Sequence, residues 1–405
     1  MAKIAILGYG TVGSGVAHVL DENADRVRLS AGEDVTLAAI LDLREFPGDP
    51  HEELVTHDYQ TILDDPEITV VCETMGGVKP AYEFTKKALE AGKSVCTSNK
   101  ELVAKHGCEL CDIAKQHGVS YLFEASVGGG IPILRTLEGA LKSEKIDRIE
   151  GILNGTTNFI LTAMEEKGAS FDEVLKKAQE MGYAERDPSA DIDGHDARRK
   201  IAILGSLMTG SLVDADEVPT QGITDITADD LALANELGGT IKLIGSCRLG
   251  ENDALEIMVA PFFVPAEHPL ASVKGVFNAV AVHGNMLGTS MYYGQGAGKD
   301  ATASAVVADV CEMVRNAGQT VPTSLCGQPA KTTSSAETAR RFFIRFKSGN
   351  RDEILAALGN AGDAAERGGE AAVLTGCMKE SGFIDKIAGL RGVMKWLRVL
   401  DTEEE

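Results

Sequence analysis

Residues 182–200 read GYAERDPSADIDGHDARRK and gather five carboxylates (Glu185, Asp187, Asp191, Asp193, Asp196), His195 and the successive cations Arg198, Arg199 and Lys200. Asp196 and Lys200 are four apart, so a helix beginning near Asp193 sets both on one face. A carboxylate and an ammonium held together suit an amino-acid substrate, and the ammonium can supply a proton. The same residues also suit plainer duties. Asp193 and Asp196 can cap the helix and complement its dipole, with Lys200 as a solvated partner one turn on. Glu185 and Asp191 can form a solvated acidic loop around Pro188. That cluster would serve a substrate ammonium, or equally a divalent cation with His195 as its one histidine.

A second motif favours the chemical reading. Gly8-Tyr9-Gly10-Thr11-Val12-Gly13 follows the apolar run Ile4 to Leu7 and opens a helix expected over Thr11 to Leu20. In a dinucleotide fingerprint Gly8 permits the tight turn, Gly10 lets the backbone approach a pyrophosphate, and Gly13 allows close helix–strand packing. Thr11 and Val12 belong to the same phosphate-facing turn. The next apolar run, Thr36 to Leu41, ends at Asp42, whose carboxylate would take the adenosine ribose hydroxyls. Asp42 lies farther along than usual, which implies a long loop around Asn23 to Asp34. Arg44 follows closely and would instead meet a 2′-phosphate. On Asp42 the cofactor reads as NAD(P), leaning to NAD.

These groups need elements to position them. Through the first third, apolar runs (Ile4 to Leu7, Thr36 to Leu41, Ile68 to Cys72, Ser94 to Thr97, Ser120 to Phe123) alternate with helical patterns at Thr11 to Leu20, Lys79 to Ala91 and Gly107 to Gln116. That alternation predicts an α/β, doubly wound parallel sheet. Ligands sit beyond the carboxyl ends of such strands. There the chain places Glu73 to Gly77 (with Thr74), Ser98-Asn99-Lys100 and the glycine-rich Glu124 to Gly130.

From Pro132 the texture shifts. A helix to Leu141, a strand Ile146 to Leu153 and the polar turn Asn154 to Asn158, which can simply cap the next helix, are expected, with further helices at Asn158 to Glu166, Phe171 to Met181 and His195 to Leu207. A strand-rich stretch runs from Ala254 to Leu287, and the turn Tyr293 to Gly298 precedes a helix Thr302 to Asn316 that returns to the first domain. Arg341 to Leu400 reads strand, helix, strand, strand, helix, strand, the order of a ferredoxin-like module. The expected division is therefore a Rossmann domain at 1–130 with its return helix at 299–320, an α+β substrate and dimerisation domain at 131–325, and a small domain at 338–405.

With 405 residues and a net charge of −22, the chain is long enough for two or three domains and a poor partner for nucleic acid or an anionic membrane. Eight cysteines spread thinly suit a reducing cytoplasm rather than a disulfide scaffold. Cys108 and Cys111 form a lone CxxC inside a helical pattern. It lacks the second pair that a zinc site requires, so both read as packing.

The glycine fingerprint, SNKELVAKHG, EASVGGGIPIL, NGTTNFIL, GYAERDPSADIDGHDARRK and GQGAGKDATASAVVAD, in this order, resemble homoserine dehydrogenase over residues 1–325. The resemblance implies NAD(P)H-dependent reduction of L-aspartate 4-semialdehyde to L-homoserine, on the route to threonine, methionine and isoleucine. It implies Lys200 as proton donor, Asp196 as substrate-binding and orienting carboxylate, Glu185 and Asp191 as further substrate contacts, and Lys100 between nicotinamide and substrate. Directly after a sheet strand, Lys100 is the competing acid, and the sequence does not apportion the proton between the two lysines. Gly182 and Gly298 correspond to cofactor-contacting turns, joined by Thr74 and Ser98 at the strand ends. A sodium or potassium ion would sit on the backbone carbonyls of Glu124, Val127, Gly129 and Ile131.

Bacterial members often add a regulatory domain of the ACT type, which residues 341–400 resemble, so an amino-acid effector is a further expected partner. Here Ser348 to Asp352 replaces the Asp-x-Pro-Gly turn typical of effector-binding ACT domains, and Ala301 stands where a proline is common. Leu41, before Asp42, takes a position where NADP-preferring members often carry arginine. A homodimer or homotetramer is expected from the middle sheet.

Two other readings compete. Aspartate-semialdehyde dehydrogenase chemistry needs a nucleophilic cysteine, yet Cys96, Cys108 and Cys111 lie in expected strand or helix without a base beside them. A nucleotide-sensing regulator would have no need of Lys100, Asp196 and Lys200 together.

Overall fold

The computed structural model describes residues 1–325, 327–359 and 361–401. Its chain divides into two compact units, one of Met1–Glu144, Ala202–Glu217 and Gly294–Ala330, the other of Lys145–Ile201, Val218–Tyr293 and Lys331–Glu405.

In the first unit β1 (Ala2–Leu7), α1 (Thr11–Glu22), α2 (Ala24–Ala31), β2 (Val35–Leu41), β3 (Val55–Thr56), α3 (Tyr59–Asp64), β4 (Ile68–Glu73), α4 (Ala81–Glu90), β5 (Ser94–Thr97), α5 (Lys100–Gln116) and β6 (Tyr121–Leu122) build a six-stranded sheet in the order β3-β2-β1-β4-β5-β6. Every pairing in it is parallel. This is the doubly wound nucleotide-binding order, with its switch between β1 and β4. β1 and β4 are buried along almost their whole length, as strands covered on both faces must be.

Two expectations fail here, and a third is met over a shorter range. The loop expected at Asn23 to Asp34 contains the helix α2, a polar segment that buries only Val27 and Ala31 and ends on a left-handed Gly32. Its polarity reads as loop, whereas the packing of one apolar stripe makes it helix. The helix expected from Gly107 starts at Lys100, because Asn99 caps it by accepting from the Leu102 N–H. The helix expected over Pro132 to Leu141 is present in shortened form over 134–140, with a wider pitch at Thr136–Ala140. The carboxylate of Glu124 takes the N–H groups of Leu134 (3.0 Å) and Arg135 (2.7 Å), first-turn donors that have no partner inside the helix.

The second unit begins with β7 (Ile146–Ile152), α6 (Gly155–Lys167), α7 (Phe171–Glu180), α8 (Ser189–Ile192) and α9 (His195–Thr209), which starts at His195 as expected. α10 (Ala228–Glu236), β8 (Gly239–Leu249), β9 (Leu255–Pro265), β10 (Phe277–Gly284) and β11 (Gly288–Gln295) follow. Neither α10 nor β8 was expected. β8 is a nearly continuous buried run rather than an alternating one, and such runs carry no strand period. α11 (Lys299–Arg315) returns to the first unit as expected and packs on α1 through Ala303, Val306 and Val310.

The remaining elements are β12 (Thr332–Thr333), β13 (Ala339–Arg340), β14 (Phe342–Lys347), α12 (Arg351–Leu358), β15 (Ala361–Arg367), β16 (Glu370–Thr375), β17 (Met378–Lys379), α13 (Glu380–Ala388) and β18 (Val393–Val399). Their strands run β18-β14-β16-β15, and the module keeps the expected β-α-β-β-α-β order around Phe342, Ile344, Phe346, Ile354 and Phe383. It does not stand as a compact unit apart from the middle segment. β18 pairs in parallel with β9, Arg398 opposite Phe262 and Val399 opposite Phe263, which joins everything from β11 to β15 into one ten-stranded sheet. A buried ion pair of Glu256 on β9 with Arg340 on β13 reinforces that seam. No helix among the described residues is long and apolar enough to cross a membrane.

Candidate active site

β1 delivers the chain to Gly8, whose φ of +88° only glycine adopts without strain and where a Cβ would lie 2.8 Å from the Met75 side chain. At Gly13 a Cβ would meet the Gly8 carbonyl oxygen at 2.0 Å, so α1 can leave the strand this tightly only without a side chain there. Gly10 faces open space. The first turn of α1, Thr11 to Gly13, holds no acidic residue and no side-chain cap. Its N–H groups, at the positive end of the helix dipole, suit a phosphate. The Thr74 hydroxyl donates to the carbonyls of Gly8 (2.7 Å) and Leu7 (3.1 Å), so this side chain braces the turn.

Asp42 ends β2 with its carboxylate fully engaged. One oxygen accepts from the Tyr9 N–H (2.7 Å), and the Arg44 guanidinium closes on both oxygens at 2.9 Å. That guanidinium, with help from the backbone N–H groups, holds the Asp42 carboxyl far below the usual carboxylate range. Arg44 itself is largely exposed and lies over the Phe46 ring. The two candidate selectors of cofactor are thus one ion pair.

At the carboxyl edge of the sheet, Glu73 is buried at 0 % exposure. It accepts from the Met75 N–H (2.8 Å) and the Thr97 hydroxyl (2.5 Å) and so ties the end of β4 to the end of β5. Burial pushes its pKa up to about 7, against the lowering by those hydrogen bonds. The Ser98 N–H donates to the Glu73 carbonyl (3.3 Å), and the Thr97 hydroxyl in turn accepts from the Asn99 N–H (2.9 Å). Lys100 follows, half-buried, as the first residue of α5. A cation at a helix N-terminus opposes the dipole.

The expected ion-binding carbonyls lie on the turn after β6. At Gly129 (φ +55°) a Cβ would strike the Gly296 carbonyl at 2.6 Å, and the Gly130 N–H donates to Gln295 (3.1 Å), so the turn lies flush on the second glycine-rich loop. Asp309 of α11 accepts the Glu124 N–H (3.0 Å) and pairs with Arg135, which anchors the turn from behind. The carbonyls of Glu124 and Ile131 each already accept one N–H, from Val127 and Ile133, and keep a second lone pair. Gly298 is exposed at the N-cap of α11. Among the described residues no group of three or more His, Cys, Asp or Glu side chains is arranged to hold a metal. Cys108 and Cys111 are buried in α5.

In the second unit the polar turn after β7 and the first turn of α9 converge. Asn154 caps α6 by accepting from the Thr157 N–H, and its amide donates to Asp191 (2.7 Å) and Asp196 (2.9 Å). Lys200, 7 % exposed, donates to Asp196 (2.8 Å) and to the Leu153 carbonyl (2.7 Å). Burial, then the Asp196 charge, raises the pKa of Asp191, with Asn154 and Lys200 opposing. The structure therefore gathers Asp191, Asp196 and Lys200. It does not bring in Glu185, which is exposed and held only through its carbonyl by Gln179 (3.0 Å). Gly182 is likewise exposed, at the end of α7. Two positions that sequence reasoning left outside the site matter to it: Asn154, legible only as a helix cap, and Glu73, legible only as the end of a strand.

The pattern described as the NAD-binding domain of homoserine dehydrogenase matches residues 8–124, and the homoserine dehydrogenase pattern matches residues 132–311. Homoserine dehydrogenase of Synechocystis sp. is 46% identical over 318 residues, spanning 77% of this chain and 73% of its own length. A solved homoserine dehydrogenase from Thiobacillus denitrificans superposes with a TM-score of 0.89 at 36% identity, covering 99% of this chain and 98% of that one. A hyperthermophilic archaeal homoserine dehydrogenase in complex with NADPH gives 0.68 at 29% identity, covering 80% and 99%.

Proposed function

The chain belongs to the homoserine dehydrogenase family, and on that premise we propose how its residues divide the work. The protein is an NAD(P)-dependent oxidoreductase that interconverts L-aspartate 4-semialdehyde and L-homoserine. The observation that carries the division is the buried Asn154–Asp196–Lys200 cluster. When bound, the nicotinamide supplies the electron pair as hydride. Reduction of the aldehyde builds negative charge on its oxygen, and Lys200 stabilises that charge and donates the proton to it. Asp196 orients Lys200, and Asn154 holds both Asp196 and Asp191 in place. Asp191 and Glu185 meet the substrate ammonium, Glu185 as an exposed arm that swings in. Lys100 acts as a binding cation toward the substrate rather than as the acid.

The pyrophosphate would rest on Gly8 to Gly13, and Gly182, Gly298, Thr74 and Ser98 would line the rest of the cofactor. NAD is favoured over NADP, because a ribose hydroxyl can replace Arg44 as a donor to Asp42, whereas a 2′-phosphate must draw Arg44 off and sit beside the carboxylate left behind. A sodium or potassium ion, if used, takes the remaining lone pairs of the Glu124, Val127, Gly129 and Ile131 carbonyls. The ferredoxin-like module serves as an ACT-like sensor of an amino-acid effector, and the enzyme works as a cytoplasmic homodimer or homotetramer in threonine, methionine and isoleucine synthesis.

Oxidation of L-homoserine, followed by the absorbance of the reduced nicotinamide with NAD and NADP side by side and threonine added last, tests the scheme. Turnover that is faster with NAD and slowed by threonine is expected. Tight binding of NADH in a folded sample without turnover would return the chain to the sensor reading.

A further inference from the structure

Lys242 on β8 is 0 % exposed, and among the described residues its ammonium meets no carboxylate at contact distance. It donates instead to two neutral oxygens, the Val273 carbonyl (2.8 Å) and the Asn158 side chain (3.2 Å). The charged groups that face it are Glu165 and Glu166 on α6 and Lys274 beside Val273; burial dominates and brings its pKa down to about 8. A buried cation without an ionic partner is costly, and a methionine would fill the same space among apolar neighbours. Fold stability alone does not account for a lysine here.

Its partners lead to the catalytic cluster in four steps. Asn158 donates to the carbonyls of Phe277 (3.0 Å) and Val273 (3.3 Å), which seats α6 on the strap 273–277. At Gly155, the first residue of α6, a Cβ would lie 2.6 Å from the Val276 carbonyl, so helix start and strap are in direct contact. The Asn158 N–H closes the first turn onto the Asn154 carbonyl (3.3 Å), and the Asn154 amide holds Asp191 and Asp196. Asp196 holds Lys200.

We infer that Lys242 is a positioning residue for the Asp196–Lys200 pair: by gripping Asn158 and the strap together it fixes the first turn of α6, from which Asn154 orients both carboxylates. This rests on the assignment of Lys200 as proton donor. A displacement of a reacting group by even one ångström can cost on the order of 10²-fold in rate, so the loss of an indirect support should cost less.

The test is homoserine oxidation by full-length Lys242→Met, Asn158→Ala and the double variant, with Lys200→Ala in the same series. Lys242→Met should lower kcat about tenfold while the KM for the dinucleotide and the thermal midpoint stay at wild-type values. Asn158→Ala should lower kcat similarly, and the double variant no further, since both act through one contact. The inference is overturned if folded Lys242→Met keeps wild-type kcat, if the two losses simply multiply, or if cofactor KM rises in step with the loss. Should Lys242→Met not fold, wild-type kcat in Asn158→Ala overturns it alone. Turnover surviving in Lys200→Ala would sink the donor assignment instead, a result separable from any of these.

Discussion

Glu73 and Asp196 are both buried carboxyls, one in each compact unit, and they are held in opposite ways. Glu73 has no cation among the described residues; a hydroxyl and a backbone N–H satisfy it, and its pKa rises to about 7. Asp196 is paired with Lys200 at 2.8 Å and steadied by Asn154. A carboxyl that can stay neutral in a dry site is a strut. One locked to an ammonium keeps that ammonium charged and aimed. The nucleotide-binding unit thus spends its buried acid on tying loops together, and the other unit spends its own on a group that can give up a proton.

The two lysines sharpen the contrast most. Lys200→Ala should cut turnover by about 10²- to 10⁴-fold, the usual worth of a positioned acid, and spare dinucleotide affinity. It should also destabilise the protein by about 3–5 kcal/mol, because Asp196 is left buried without its partner. Lys100→Ala should raise the substrate KM more than it lowers kcat. Steady-state kinetics and thermal melts of both variants decide. A larger kcat loss at Lys100 than at Lys200 would reverse the roles.

Asn154→Ala comes next. It removes the α6 cap and the donor to two carboxylates at once, so about tenfold in kcat and about 1–3 kcal/mol of stability should go, a mid-sized effect read by the same two measurements. On the other unit, Arg44→Ala should raise the KM for NADP about tenfold, as the loss of a charged phosphate contact does, and leave or lower that for NAD by freeing Asp42. A rise for both cofactors alike would mean that Arg44 only steadies the loop.

The sequence made the contrast legible in part. Asp196 and Lys200 were readable because helical spacing puts i and i+4 on one face, and the glycine fingerprint was readable because backbone approach demands those glycines. The β-α-β-β-α-β order of the C-terminal module was readable from periodicity. Its continuity with β9 was not, since edge pairing between distant strands leaves no local pattern. Asn154 looked like a cap because it is one; that the same side chain also reaches Asp191 and Asp196, 37 and 42 residues on, is set by tertiary packing. α2 escaped because few apolar residues mark it, and the Pro132 to Leu141 helix begins later than expected, at 134, where the Glu124 carboxylate ten residues upstream takes its first N–H groups.

The smallest effect tests the strut itself. In the folded protein Glu73 releases its proton near pH 7, above the 4.5 of an unperturbed glutamate. Between those values the folded state holds a proton that the unfolded chain has lost, so stability falls as pH rises across the window. The contribution is complete below about pH 4.5 and gone once the pH has passed through about 7. Glu73→Gln keeps the shape with no charge to bury, and the Thr97 hydroxyl can turn to suit it. The stability difference, variant minus wild type, should therefore grow between pH 5 and pH 8, by at most about 3 kcal/mol for a shift of this size. Denaturant melts at the two pH values measure it. A flat difference would mean that Glu73 is already ionised at pH 5, and that the first unit, too, steadies a buried charge.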